Sequence, residues 1–240
     1  MITRNTNIKK NCFIISRYRE DLSWLKKLKE HKVIVYNKGA ELDKNKFYKS
    51  INIKNVGRES HTWLYHIVKN YNYLDDVSIF LQGRIDDLGC MAFEDPLDYI
   101  KTIDKYGFSV SRFGLLGPYH WSYNIGIEKD IRYKDDWGNG KISKSDLGFR
   151  NFAEKFFPDI PFFVATSYGG CFGVKKELIK RYSYNFYIKL LKILESHRNP
   201  IEGHYMERLW CYMFTKNRPL GRSIKDVFLT KYERLFFRNI

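Results

Sequence analysis

The chain has 240 residues, 44% of them hydrophobic, with 18 Tyr and 18 Phe. That composition excludes a disordered chain, and a domain of this size buries roughly 70–75% of its unfolded surface without disulfides or a structural metal. The formal net charge of +15 points to nucleic acid, an acidic membrane face or a phosphate-bearing substrate, unless it only reflects an AT-rich coding bias toward Lys and Asn.

In chain order, "NCFIISRY" (11–18) reads as a buried strand, and "EDLSWLKKLKEH" (20–31) places Leu22, Leu25 and Leu28 at helical spacing. "KVIVYNKG" (32–39) is a second strand, closed by a turn at Asn37-Lys38-Gly39. Strand, helix, strand in that order is the pattern of a parallel sheet. "NVGRESHTWLYHIVKNYNYL" (55–74) predicts a helix with Ser60, Leu64, Ile67, Val68 and Tyr71 on one side. Glu59, Thr62, Trp63, His66 and Asn70 fall on the other. "DDVSIFLQG" (75–83) follows as a strand that is apolar on both faces and therefore central. Its C-terminal end then faces the crevice where open α/β sheets bind ligands. "EDPLDYIKTIDKYG" (94–107) predicts a helix starting near Pro96, with Leu97, Ile100 and Ile103 inward, and "FSVSRFG" (108–114) a further strand. The run from 117 to 148, rich in Gly, aromatics and charge, reads as a long binding loop.

"PFFVATSYGGCFGVKKELIKRY" (161–182) gives a strand, a tight Gly169-Gly170 crossing, a strand and a helix, and "NPIEGHYMERLWCYMF" (199–214) a second helix. No repeat or low-complexity linker divides the chain. The expectation is one domain over 1–240, with a core at about 11–215 and a basic, aromatic C-terminal segment at 216–240. Cys12, Cys90, Cys171 and Cys211 lie far apart without a Cys-x-x-Cys pair, as small buried residues of a reducing compartment do. The start "MITRNTNIKKNCFII" lacks the long apolar run of a signal peptide, and no stretch reaches the roughly 18–20 apolar residues of a membrane span. A cytoplasmic protein is expected.

The central strand runs into Gly83-Arg84-Ile85-Asp86-Asp87. Carboxylates just past a buried strand suit a hydrated divalent cation that bridges phosphates, and Asp is equally common in a cap or turn. Arg84 either pairs with phosphate or neutralises the two Asp. In the last helix Asn199 can cap, Pro200 suits the first turn, and Glu202 lies where a capping-box acid belongs. His204, Glu207, Arg208 and Cys211 share one side of it. Glu207 is either a base for a hydroxyl or half of an ion pair with Arg208 that fixes packing. His204 is a metal ligand or a satisfied histidine. Gly169 and Gly170 permit close approach by a backbone or a sugar-sized ligand, as they would in a plain turn. Ser16, Arg17 and Tyr18 end the first strand, where either a nucleotide base or ribose sits against Tyr18 or the chain simply turns.

The segments "FIISRYREDLSWL", "NVGRESHTWLYHIVKNYNYLDDVSIFLQG", "SYGGCFGVKKELI" and "HYMERLW" occur in this order in an uncharacterised domain family. That family resembles nucleotide-sugar-dependent glycosyltransferases of the GT-A fold, over roughly residues 11–215. The resemblance implies a GT-A-like α/β domain, with a Rossmann-like mixed, mostly parallel sheet flanked by helices. It implies a nucleoside-diphosphate sugar as donor, a glycan acceptor, and Mn²⁺ or Mg²⁺ held by Asp86 and Asp87 with His204. Donor contacts would come from Ser16, Arg17, Tyr18, Arg58, Arg84, Gly169 and Gly170, and the base would be Glu207.

The expected function is sugar transfer in surface glycan synthesis; the alternative is a non-catalytic glycan- or nucleic-acid-binding protein on the same scaffold. Nucleic acid is not the expected partner, because the basic residues spread along the chain without a binding motif. In the tail, Phe228, Leu229, Tyr232, Leu235 and Phe236 alternate with Lys225, Lys231, Arg234 and Arg238. That pattern suits a peripheral contact with an anionic membrane, or an ordinary packed helix.

Overall fold

The apolar runs become strands of one sheet. A computed structural model describes residues 10–42, 47–85, 93–103, 107–111, 114–117, 141–142, 148–167 and 169–217. Its first half contains β1 (Asn11–Arg17), a 3₁₀ helix (Ser23–Leu28), β2 (Lys32–Asn37), β3 (Lys49–Asn52), α1 (Arg58–Asn70) and β4 (Val77–Gln82). Then come α2 (Asp98–Lys101), β5 (Phe108–Ser109), β6 (Gly114–Leu116), α3 (Phe149–Phe156) and β7 (Val164–Thr166). The described chain closes with β8 (Phe172–Lys175), α4 (Lys176–Ile179), α5 (Tyr184–Leu194) and α6 (Ile201–Thr215).

The main sheet has six strands in the order β3-β2-β1-β4-β8-β5. The first four are parallel, and β8 runs antiparallel to both β4 and β5. This is the mixed, mostly parallel sheet flanked by helices that the sequence leads one to expect. A small antiparallel pair, β6 with β7, stands apart from it.

Alternation along the strands divides the core. Cys12 and Ile14 join a cluster with Trp63, Leu64, Phe80, Leu190 and Trp210, on the side of α1, α5 and α6. Phe13 and Ile15 join the other cluster, with Leu25, Leu28, Val35 and Tyr99, on the side of the 3₁₀ helix and α2. Each such aliphatic or aromatic side chain contributes roughly 1.5–3 kcal/mol by leaving water.

Several expectations need correction. The helix predicted over 20–31 is only a 3₁₀ helix, although Leu25 and Leu28 are buried as expected. The helix near Pro96 spans four residues. Both sides of α1 are buried: Ser60, Leu64 and Ile67 on one, and Glu59, Thr62, Trp63 and His66 on the other. The reason is layering: α1 lies on the sheet and is covered by α5 and α6, which leaves only Lys69 of it exposed. Asn199 does not cap α6; Pro200 is its N-cap, with no side-chain capping bond.

Cys12, Cys171 and Cys211 are buried free thiols, and burial pushes the Cys12 thiol up to about 12. No described helix is long and apolar enough to cross a membrane. Cys90, Asp86, Asp87, most of the 117–148 run and the chain after 217 lie outside the described residues.

Candidate functional site

From β1 the chain steps outward to β2 and β3, and α1 then carries it back to β4 on the opposite side of β1. Neighbouring strands whose connections leave in opposite directions open a crevice at their C-terminal ends. A crevice of about 330 Å³ lies there. Ser16, Arg17 and Tyr18 line it from the end of β1, Lys38 from the end of β2 and Gln82 from the end of β4. Arg58 and Glu59 enter from the first turn of α1, and Arg198 and Asn199 from the segment before α6.

The entry to α1 is strained. Gly57 and Arg58 both take left-handed backbone angles, with φ of 61° and 52°. Gly57 is required, because a Cβ there would stand 2.6 Å from the Leu194 carbonyl oxygen. Arg58 has no such exemption, and the left-handed region costs an ordinary residue about 1–2 kcal/mol. Three hydrogen bonds help to hold this corner: the Gly57 N–H donates to the His197 oxygen at 2.9 Å, and the Lys38 ammonium donates to the Val56 carbonyl at 2.7 Å and to that of Arg58. Burial pushes the Lys38 amine down to about 7; Glu59 opposes that shift and Arg58 adds to it.

The Arg58 guanidinium faces inward. Its Nη1 lies 3.0 and 3.4 Å from the two ring nitrogens of His204, and its Nε lies 3.4 Å from a Glu59 oxygen. His204 Nε2 is in turn 3.2 Å from Asn199 Oδ1. The tautomer that satisfies both neighbours donates from Nε2 to Asn199 and accepts from Arg58 at Nδ1. Burial, then Arg58 and Arg208, push His204 down to about 2, so the ring is neutral. Arg17 is braced by Asn37 Oδ1 and the Ala40 oxygen, each at 2.9 Å. The Tyr18 ring has Arg19 and Arg198 over it at 4.9 and 5.0 Å.

At the inner end lies the Gly169-Gly170 turn. Gln82 Nε2 donates to the Gly169 oxygen at 2.8 Å, and Trp63 Nε1 to the Gly170 oxygen at 3.1 Å. From below, the Gly169 N–H donates to Glu207 Oε1 at 2.9 Å, and Arg208 Nη1 donates to Glu207 Oε2 at 3.1 Å. Gly170 has a φ of 66°, and a Cβ on it would lie 3.2 Å from Glu59 Cγ.

The fold therefore brings together Ser16, Arg17, Tyr18 and Arg58 in one crevice, with Gly169, Gly170, His204 and Glu207 packed behind its wall. Arg84 stands apart, in a neighbouring cavity of about 640 Å³ that also includes Trp24, Lys27 and Glu94. Glu20 lines both cavities. Among the described residues no group of three or more His, Cys, Asp or Glu side chains can hold a metal. An ion bound at His204 would stand against the Arg58 guanidinium.

Lys38, Glu59, Gln82, Arg198 and Asn199 also line the crevice, beyond the residues the sequence singles out. Lys38 and Gln82 carry a readable signal, since each is the polar residue at or just past the end of a buried strand. Glu59 carries none, because helical periodicity places it on a side of α1 without showing what covers that side.

Comparison with curated proteins and with solved structures finds no match. The model of the family described as "Protein of unknown function (DUF3431)" matches residues 13–226, and the chain belongs to that family.

Proposed function

We propose that the chain is a glycosyltransferase that takes a nucleoside-diphosphate sugar, with the diphosphate seated in the crevice at the ends of β1, β2 and β4. The observation that carries this reading is the convergence of Arg17, Lys38, Arg58 and Arg198 on one crevice beside the N-terminus of α1. Helix N-termini and guanidinium groups favour phosphate oxygens. In sugar transfer the charge that develops sits on the departing diphosphate, and fixed cations aimed at it lower the barrier most. Tyr18, flanked by Arg19 and Arg198, offers a ring for a base to stack on. The adjoining cavity, with Trp24 and Arg84, suits a glycan acceptor of a surface polysaccharide.

Mn²⁺ or Mg²⁺ belongs in this reading to Asp86 and Asp87, which follow β4 closely, and would neutralise diphosphate charge there. His204 does not suit that role.

One observation favours a non-catalytic binding protein on the same scaffold: both Glu207 oxygens already accept hydrogen bonds, the arrangement of a group that holds the glycine turn. Thermal shift and calorimetry with UDP, GDP and CDP and their sugars, with and without Mn²⁺, test the proposal. At a ligand concentration of 100 Kd the native state gains about 2.7 kcal/mol, a rise of roughly 5–10 °C in Tm for a chain of this size. Release of nucleoside diphosphate from a bound donor separates enzyme from binder. A flat response to every nucleoside diphosphate overturns the glycosyltransferase reading.

A further inference from the structure

Among the described residues of the crevice, Glu59 is the carboxylate whose buried oxygen takes no hydrogen bond. It is 9% exposed, its Oε2 lies 3.4 Å from Arg58 Nε, and its buried Oε1 takes no hydrogen bond among the described residues. A buried acceptor without a donor is destabilising, so such a group in a native fold calls for a specific explanation.

The neighbouring donor groups bond elsewhere, and none of them reaches Oε1. Gln82 Nε2 donates to the Gly169 oxygen, Trp63 Nε1 to the Gly170 oxygen, and the Ser16 and Thr62 hydroxyls share one hydrogen bond. Lys38 donates to the Val56 and Arg58 carbonyls. Gly170 has no side chain to offer, and its bare Cα keeps the approach open: a Cβ would lie 3.4 Å from Oε1. None of these groups bonds to Oε1, and Glu59 lines the crevice, from which a ligand can supply the missing donor. A metal ion would meet Lys38 and Arg58, and a bare anion would be repelled by Glu59. A molecule with phosphate at one end and a neutral O–H at the other satisfies both sets of groups, because O–H to carboxylate bonds are short and strong.

We propose that Glu59 accepts a hydrogen bond from a hydroxyl of the bound molecule, so that the crevice selects polyhydroxylated phosphate esters over bare anions. This rests on the reading of the crevice as a diphosphate site.

The test is calorimetric titration of the whole chain and its Glu59→Gln variant at pH 8, with inorganic pyrophosphate, UDP-glucose and GDP-mannose as probes. Pyrophosphate carries no carbon-bound hydroxyl. Loss of a charge-assisted hydrogen bond lowers affinity about tenfold or more. The variant should therefore bind a nucleotide sugar about tenfold more weakly. It should bind pyrophosphate as tightly as the native chain or more so, since a negative charge has left the site. Thermal melting of the variant, alone and with pyrophosphate, shows that it is folded. If Glu59→Gln changes all probes by the same factor, or if the native chain prefers pyrophosphate to both sugar nucleotides, the hydroxyl role of Glu59 is wrong. If the native chain binds none of the three, the diphosphate reading itself falls.

Discussion

Gly170→Ala probes the packing that shapes this crevice. The residue sits at φ 66°, where a Cβ costs about 1–2 kcal/mol. The same Cβ would lie 3.2 Å from Glu59 Cγ and 3.4 Å from Oε1, so Glu59 must give way by a few tenths of an ångström. A tight contact of this kind adds about 1 kcal/mol. The sum is about 2–3 kcal/mol, or roughly 5–10 °C in Tm. Gly173→Ala is the matched control: its Cβ meets only Ser109 and Tyr99 atoms at 3.5 Å, an ordinary contact, and its loss should stay under about 1 kcal/mol. Urea unfolding followed by Trp fluorescence reads both, provided the dependence on urea is unchanged. Pairing Gly170→Ala with Glu59→Ala should recover the contact part, about 1 kcal/mol, and leave the backbone part. Equal losses at 170 and 173, or no coupling to Glu59, would refute the packing derived for this wall.

Lys38 titrates at about 7 when folded against an ordinary 10.5. Between those values the unfolded chain binds the extra proton, so native stability rises with pH by up to about 1.4 kcal/mol per pH unit. The stability of the native chain relative to Lys38→Met should therefore climb by about 2–3 kcal/mol from pH 7 to 9 in urea titrations; a flat difference contradicts the burial argument. Burial also holds His61 and His66 at about 3 and His204 at about 2. Below 6.5 the unfolded chain takes up protons that these native rings refuse, so stability falls with acid. Each ring contributes up to about 1.4 kcal/mol per pH unit, and His66→Gln should flatten the slope measured between pH 6.5 and 5. Arg58→Gly and Arg58→Ala lose the same guanidinium, but only Gly relieves the left-handed strain, so it should be the more stable variant by about 1 kcal/mol. Glu207→Gln keeps an acceptor for the Gly169 N–H; if Glu207 only positions the turn, donor turnover persists, and its abolition would restore Glu207 as the base.

The sequence discloses β1, β2 and β4 because β-branched apolar runs bounded by turns have few other structural solutions. It conceals β3, a four-residue edge strand that is largely exposed and exists because Val35 and Tyr36 of β2 offer it partners at Ser50 and Ile51. The helix α5 is different, since its signal is present. Tyr187, Leu190, Leu191 and Leu194 are buried at helical spacing, and the Ser183 hydroxyl accepts the Phe186 N–H at 3.2 Å. The strand-end residues Ser16, Arg17 and Tyr18 are legible for a topological reason: in parallel sheets the C-terminal edge is where ligands bind. Glu59 is not, and neither is the burial of Lys38, because burial of a charge is decided by what packs above a helix or loop, and no local pattern encodes it.

Two glutamates flank the same glycine turn and differ in how they are satisfied. Glu207 accepts from the Gly169 N–H and from Arg208, the arrangement expected of a group whose task is to hold a turn. Glu59, on the other side of Gly170, is as deeply buried yet leaves Oε1 unanswered, beside a lysine whose charge burial disfavours and an arginine in a strained backbone. Each of these costs stability, and stability alone gives no reason to keep them together. A phosphate beside Lys38 and Arg58 would favour the charged lysine, and a hydroxyl on Glu59 would supply the missing donor. One such ligand would relieve the Lys38 and Glu59 penalties at once, and under that proposal the rim of the sheet carries function while the turn above Glu207 supports it.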